Sequence, residues 1–229
     1  MIKINLSLKQ QLEGMSLKEK AGHIWLYYKI HIFVTVALLA FLISLLNHFV
    51  FNPPRTPFLN ISFYGSFVSF DTLDALQELV EPTMSPDINE YALETFAFYM
   101  TQDPTFNMAQ HNRFSVMVMS QALDILIATD DYLDYLFEHR MAMDLHNFLT
   151  PQEFDMLDDM GLIVRGRVYL TEIGQVVGYI DDLPMGISLV NNEFFENLEP
   201  RFSSWYLLII GNTQRHDLIR EFLQKAEIL

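Results

Sequence analysis

Residues 30–51 read IHIFVTVALLAFLISLLNHFVF, and no charged residue occurs between Lys29 and Arg55. At about 1.5 Å rise per residue, a helix of this length spans roughly 33 Å, enough for the roughly 30 Å hydrocarbon core of a bilayer. The core helix of a water-soluble domain carries a polar stripe at helical spacing. Here the polar residues are His31 and Thr35 near one end, Ser44 within, and Asn47 and His48 near the other, and they form no stripe. A secretory signal peptide has a shorter apolar region, about 7–15 residues, and ends in a small-residue cleavage site. This run ends in Val50-Phe51-Asn52-Pro53-Pro54-Arg55, which is no such site. The chain has no cysteine, so a lipid-modified amino terminus is not expected. The expectation is an uncleaved signal anchor.

The flanks set the expected orientation. Lys18, Lys20 and Lys29 precede the run, whereas Arg55 stands alone after it. Excess lysine on a short flank marks the cytoplasmic side. Trp25, Tyr27 and Tyr28 sit where an inner aromatic belt belongs. The expected organisation is a cytoplasmic segment over 1–23, a transmembrane helix over 24–51, a proline-rich stalk over 52–59, and an extracytoplasmic α/β domain over 60–229. Leu6, Leu8, Leu12 and Met15 give the first segment a weak apolar stripe. Ala40 and Ser44 form a small-xxx-small pair of the kind that lets helices approach closely, although a chance pair facing lipid is the plainer account.

Charge divides at the same place. The chain has 14 basic and 29 acidic residues, net −15. Residues 1–29 hold five lysines against Glu13 and Glu19, and the remainder is net −18. A surface so acidic repels phosphate backbones, which excludes nucleic acid as a partner and favours cationic or neutral ones. Solubility alone is the plainer account of the same charge. With no cysteine there is no disulfide, thiol chemistry or thiolate metal site. Asn60-Ile61-Ser62 matches a glycosylation sequon but falls in an expected strand.

Along the domain, strand and helix patterns alternate. Residues 60–70 are rich in Ile, Phe, Tyr and Val and read as a strand. A helix follows over Asp71–Glu81, with Pro82 as its stop. Tyr91–Met100 fits strand or helix equally. Residues 107–123 read as a helix, and Asp124–Thr129 as a buried strand. Asp130 and Asp131 open a further helix, and Thr150-Pro151-Gln152-Glu153 is a capping box with proline at the first helical position. Residues 164–180 read as extended with bends at Gly166, Gly174 and Gly178, Pro184 and Gly186 as loop, Trp205–Ile210 as a second apolar strand, and Leu218–Ala226 as a last amphipathic helix. This alternation predicts an α/β fold, a three-layer sandwich whose sheet is at least partly parallel.

No chemical motif stands out. Of seven histidines, no pair has the i, i+4 spacing of a helical metal site with a neighbouring Glu. His31 and His48 lie close enough to the membrane ends to reach headgroup water, and either a relay or a structural role fits them. There is no G-x-S-x-G, no glycine-rich phosphate loop and no HExxH. Adjacent acids such as Asp130-Asp131, Asp158-Asp159 and Asp181-Asp182 do not face one another on a helix. No catalytic residue, metal site or cofactor is expected. In open α/β sheets, ligands sit beyond the carboxyl ends of the strands. The candidate ligand-binding residues are therefore Tyr64, Thr129, Asp130, Asp131 and Asn212. If Asp130, Asp131 and Asp134 line a ligand mouth, the ligand is cationic or neutral. The plainer alternative is that Thr129 and Asn212 simply cap helices.

Asp124-Ile125-Leu126-Ile127-Ala128-Thr129 after a Ser-Gln-Ala-Leu helix end resembles the helix, Asp, apolar strand, Thr unit of type 2 solute-binding proteins. Asp144–Leu149 resembles the stretch that follows it, Pro184–Leu189 their return crossing, and Trp205–Thr213 with its helix their closing unit. The whole is also similar to short single-pass membrane proteins of Gram-positive bacteria. The resemblance implies a reduced type 2 periplasmic-binding-protein fold in 60–229. The expected protein is then a non-catalytic, single-pass, membrane-anchored solute-binding-like domain outside the cell, taking a small ligand or a partner. The alternative is an accessory subunit that docks onto a transporter or other envelope complex and has no ligand cleft. The family is longer, with two lobes and a lipidated cysteine, and this chain has neither.

Overall fold

The computed structural model describes residues 16–51, 53–172 and 175–229. It divides into two compact units, 1–54 and 55–229. The stripe Leu6–Met15 lies outside the described residues.

The first unit is a helix, α1 (Leu17–Leu46), which continues as a π-helical turn over Asn47–Phe51. Within it Tyr28–Phe51, 24 residues, is long and apolar enough to cross a membrane by length and composition, and none of it is buried. Trp25 meets Phe33 edge to face at 5.8 Å, and Tyr28 meets His31 at 6.2 Å.

The second unit is mixed α/β. In chain order it contains β1 (Thr56–Gly65), α2 (Phe70–Met84), β2 (Tyr91–Tyr99), α3 (Pro104–Met119), β3 (Ile125–Ala128), α4 (Leu133–Glu138), α5 (Pro151–Asp159), β4 (Ile163–Glu172), β5 (Gln175–Ser188), α6 (Glu193–Leu198), β6 (Tyr206–Ile209) and α7 (His216–Lys225). One six-stranded sheet has the order β2-β1-β3-β6-β5-β4. β1 is parallel to β2 and β3, and the remaining three pairings are antiparallel. The two parallel pairs arise because α2 and α3 carry the chain back across the sheet before each new strand.

Alternation along the strands feeds two cores. Ile61, Phe63, Ile125, Ile127, Leu207 and Ile209 face one side, where α2 supplies Leu73, Leu76 and Val80 and α7 supplies Ile219, Phe222 and Leu223. Tyr64, Leu126, Ala128, Leu208 and Ile210 face the other, against Phe114 of α3 and Leu133, Leu136 and Phe137 of α4. Helices therefore cover both faces of the sheet, and the sequon residue Asn60 is fully buried within β1.

Several boundaries differ from the sequence reading. Residues 56–59, expected in the stalk, begin β1, because Phe58 and Leu59 are buried core residues. Pro57 is accommodated at a register shift in the β1–β2 pairing. Pro82 does not stop α2, which runs two residues further to Met84. At that position the missing N–H removes a single bond in the last turn. Pro184 and Gly186, expected as loop, lie in β5, where a register shift beside Arg165 admits the proline. The capping box at Thr150 forms on both sides: Thr150 N–H donates to Glu153 at 2.7 Å, and Glu153 N–H donates to Thr150 Oγ1 at 3.3 Å.

Candidate functional site

The parallel part of the sheet reverses its winding between β1 and β3, which pair side by side from Ile61–Ile125 to Tyr64–Ala128. In doubly wound sheets a ligand crevice opens beyond such a reversal. Gly65 ends β1 there with φ +111°, in a region that L side chains rarely adopt. A Cβ on Gly65 would stand 2.2 Å from Thr129 Oγ1 and 2.9 Å from the ring of Tyr132. The Thr129 N–H donates to the Tyr64 carbonyl at 3.1 Å, and the Met100 N–H to the Gly65 carbonyl at 3.0 Å. The loops beyond β1 and β3 therefore pack directly on each other at the point where a crevice would have to open.

The expected site residues disperse around this point. Tyr64 is fully buried and faces the second core. Its ring packs 4.7 Å from Phe114 and 5.6 Å from Tyr132, and its hydroxyl lies 2.6 Å from His111 Nδ1. Burial pushes the Tyr64 phenol well above its ordinary pKa, with Tyr135 and Tyr132 adding to the rise, and burial lowers that of His111. Both are neutral near pH 7, so the pair is a hydrogen bond and not an ion pair. His111 in turn faces Tyr135 at 5.1 Å, and Tyr135 faces His139 at 4.4 Å.

Thr129 precedes a short 3-10 turn over Asp130–Tyr132 but makes no side-chain cap bond, and its buried Oγ1 has no partner. Asp130 and Asp131 are exposed. Burial raises the pKa of Tyr206, and the charge and hydrogen bond of Asp130 raise it further. Asn212 does not join these residues. β6 runs antiparallel to β3, so its carboxyl end lies at the amino end of β3, where Ile210 N–H donates to the Asp124 carbonyl at 2.9 Å. Asn212 Nδ2 there donates to the Val118 carbonyl at 2.6 Å, in the last turn of α3, so it ties down the carboxyl end of that helix.

Two clefts border the expected residues. One, about 330 Å³, brings Asp134 together with Glu138, Asp181 and Asp182 around Arg165 and Arg167. Asp130 and Asp131 are not among its lining residues. Its arginines are already engaged: Arg165 with Asp158 at 2.8 Å, and Arg167 with Asp181 at 2.6 Å. The other, about 630 Å³, contains Asn212, Gly211, Asp144 and Asn147 at the opposite end of β3 and β6. Among the described residues no group of three or more His, Cys, Asp or Glu side chains is placed to hold a metal.

Sequence reasoning missed the partnership of Tyr64 with His111, which joins residues 47 positions apart and leaves no local signal. It also missed the length of the β4–β5 hairpin. β5 meets β6 only at Ile187 and Ser188, whereas it pairs with β4 from Gln175 to Ile187. Near the end of this hairpin Val176, Val177, Tyr179 and Ile180 are 60%, 57%, 56% and 43% exposed. The extended reading of 164–180, with bends at Gly166, Gly174 and Gly178, carried the signal, but it stopped short of the end of β5 at Ser188.

No family model matches the chain, no curated protein matches it, and no solved structure matches it. The resemblance to type 2 solute-binding proteins rests on the sequence pattern alone.

Proposed function

We propose that this chain is a non-catalytic, single-pass membrane subunit whose acidic carboxyl-terminal domain docks outside the cell onto another membrane protein, with the β4–β5 hairpin as the docking element. The observation that carries this reading is the hairpin itself. An isolated two-stranded ribbon is only marginally stable in water, and exposed apolar strands invite pairing with another chain. Four apolar side chains within residues 176–180, at 43–60% exposure, gain burial when a partner covers them. The packed contact between Gly65 and Thr129 weighs against a ligand crevice at the strand ends. The lysines before the span support a cytoplasmic amino terminus.

A tagged full-length chain, purified from solubilised membranes, should retain a stoichiometric membrane-protein partner, such as a transporter. Val177→Asp with Tyr179→Ser should release that partner without altering the melting of the domain. Retention of the partner by this variant removes the hairpin as the docking element.

The solute-binding-like reading keeps one foothold, the cleft of about 630 Å³ beside Asn212, a volume in the range of small-molecule sites. A rise in melting temperature with a small cationic or neutral solute, abolished by filling the cleft with Gly211→Phe, would favour it over docking.

A further inference from the structure

We propose that the outward face of α3 is a self-association surface, on which a second copy of this chain packs α3 against α3. The inference builds on the proposed membrane tether, which brings two copies together, and it concerns a surface other than the hairpin.

A surface helix normally turns charge to water. α3 does not. Its inner side holds the buried Phe114, yet Met108, Val116 and Met119 on the outer side are 65%, 64% and 81% exposed. With exposed Asn112 between them, they follow the i, i+4, i+8, i+11 spacing of a single stripe. No acidic residue occurs from Pro104 to Leu123. The nearest acid on the amino-terminal side, Asp103, caps the helix by accepting from Thr105 N–H at 2.9 Å. The one arginine, Arg113, lies over the rings of Phe96 and Phe98 at 5.1 and 5.3 Å. His111 is turned towards Tyr64.

This lack of charge selects the occupant. Two copies of a domain this acidic repel one another, and they approach at least cost where neither turns a carboxylate to the other. A basic partner would find no counter-charge on this stripe. Methionine, unbranched and polarisable, suits a contact that must pack against its own image. A twofold contact is self-complementary. Antiparallel helices centred on Asn112 set Met108 against Val116 of the second copy, and Asn112 against Asn112 of the second copy. An amide side chain both donates and accepts, so the central pair is satisfied by symmetry.

The contact is small. A 16-residue helix is about 24 Å long and 10 Å wide, so one face offers roughly 240 Å² per copy. Stable complexes bury about 800 Å² per partner. Association is therefore weak in dilute solution and strong when two copies share one membrane, where the effective concentration is high.

The chain has no cysteine, so single replacements report the contact directly. Full-length Asn112→Cys, oxidised in native membranes, should give a disulfide-linked species of twice the chain mass. Asp155→Cys, on exposed α5 surface, should not. Adding Val116→Glu to Asn112→Cys puts a carboxylate on the stripe and should lower the cross-linked fraction several-fold, with the melting curve unchanged because Val116 faces solvent. Equal cross-linking of Asn112→Cys and Asp155→Cys overturns the proposal, as does cross-linking of Asn112→Cys to a different protein, or indifference to Val116→Glu. Alkaline carbonate extraction of the same membranes separates the two readings. A chain retained in the pellet without cross-linking refutes self-association alone, whereas a chain released to the supernatant refutes the membrane tether.

Discussion

The Asp124 carboxylate receives the Arg215 guanidinium at 2.8 Å, although Asp124 is 1% exposed and opens β3 while Arg215 directly precedes α7. The same carboxylate accepts from Asn60 N–H at 2.8 Å and from the Thr213 hydroxyl at 2.5 Å. One buried charge thus ties the middle of β1 and the beginning of β3 to the segment after β6. Removing one partner of a buried pair strands the other, a loss of about 3–5 kcal/mol. Arg215 is partly solvated, so Arg215→Ala should fall at the low end of that range in urea unfolding. A loss below about 1 kcal/mol would mean that the neutral donors suffice for Asp124.

Gly65→Ala tests the closed contact at the strand ends. It adds a Cβ at positive φ and drives it into Thr129 Oγ1. Strain of this kind amounts to about 1–3 kcal/mol before the clash is added. Thr129→Ala removes the nearest obstructing atom and should recover part of the loss in the double variant. Additive losses would show that the two loops do not press on each other.

Tyr64 predicts an alkaline weakness. Its folded pKa lies above its unfolded value, so the neutral phenol favours the fold. That contribution is fully present below about pH 10 and is lost as pH rises towards the folded pKa. His111 has the opposite sense: its depressed folded pKa favours the fold above about pH 6.5, and this is lost as pH falls. Tyr64→Phe should reduce the drop in melting temperature above pH 10, though not abolish it, because the pKa values of Tyr132 and Tyr206 are raised as well. An unchanged alkaline slope would contradict the assignment to Tyr64.

Protease added to intact spheroplasts should digest the region after Arg55 and leave the amino-terminal segment protected. Replacing Lys18, Lys20 and Lys29 with Gln should increase the population inserted in the reverse sense. Protection of the carboxyl-terminal domain in the unaltered chain would reverse the proposed orientation.

Local chemistry made much of this fold legible. The apolar runs at Ile125–Ala128 and Tyr206–Ile209 are strands within one residue or so of the expected limits, and the Thr150–Glu153 box starts α5 as expected. Strand direction was not legible, because four-residue apolar strands read the same either way. That ambiguity put Asn212 with Thr129, when antiparallel pairing sets them at opposite ends of β3. Tyr91–Tyr99 was ambiguous because its burial does not alternate cleanly. The site was less legible than the fold: Tyr64 stands at a strand end, but whether a side chain there turns to solvent or to the core depends on register, which only tertiary packing fixes.

The last strand in the chain is a middle strand of the sheet. β6 lies between β3 and β5, so as the chain is synthesised, the parallel unit and the hairpin unit are made before the strand that joins them. Until Tyr206–Ile209 arrives, β3 and β5 each present an open edge, and the two cores lack Leu207, Leu208 and Ile209. The domain cannot become protease-resistant in stages from its amino end. Its sheet closes late, and the nascent chain is most exposed to wrong strand pairing just before Tyr206–Ile209 is made.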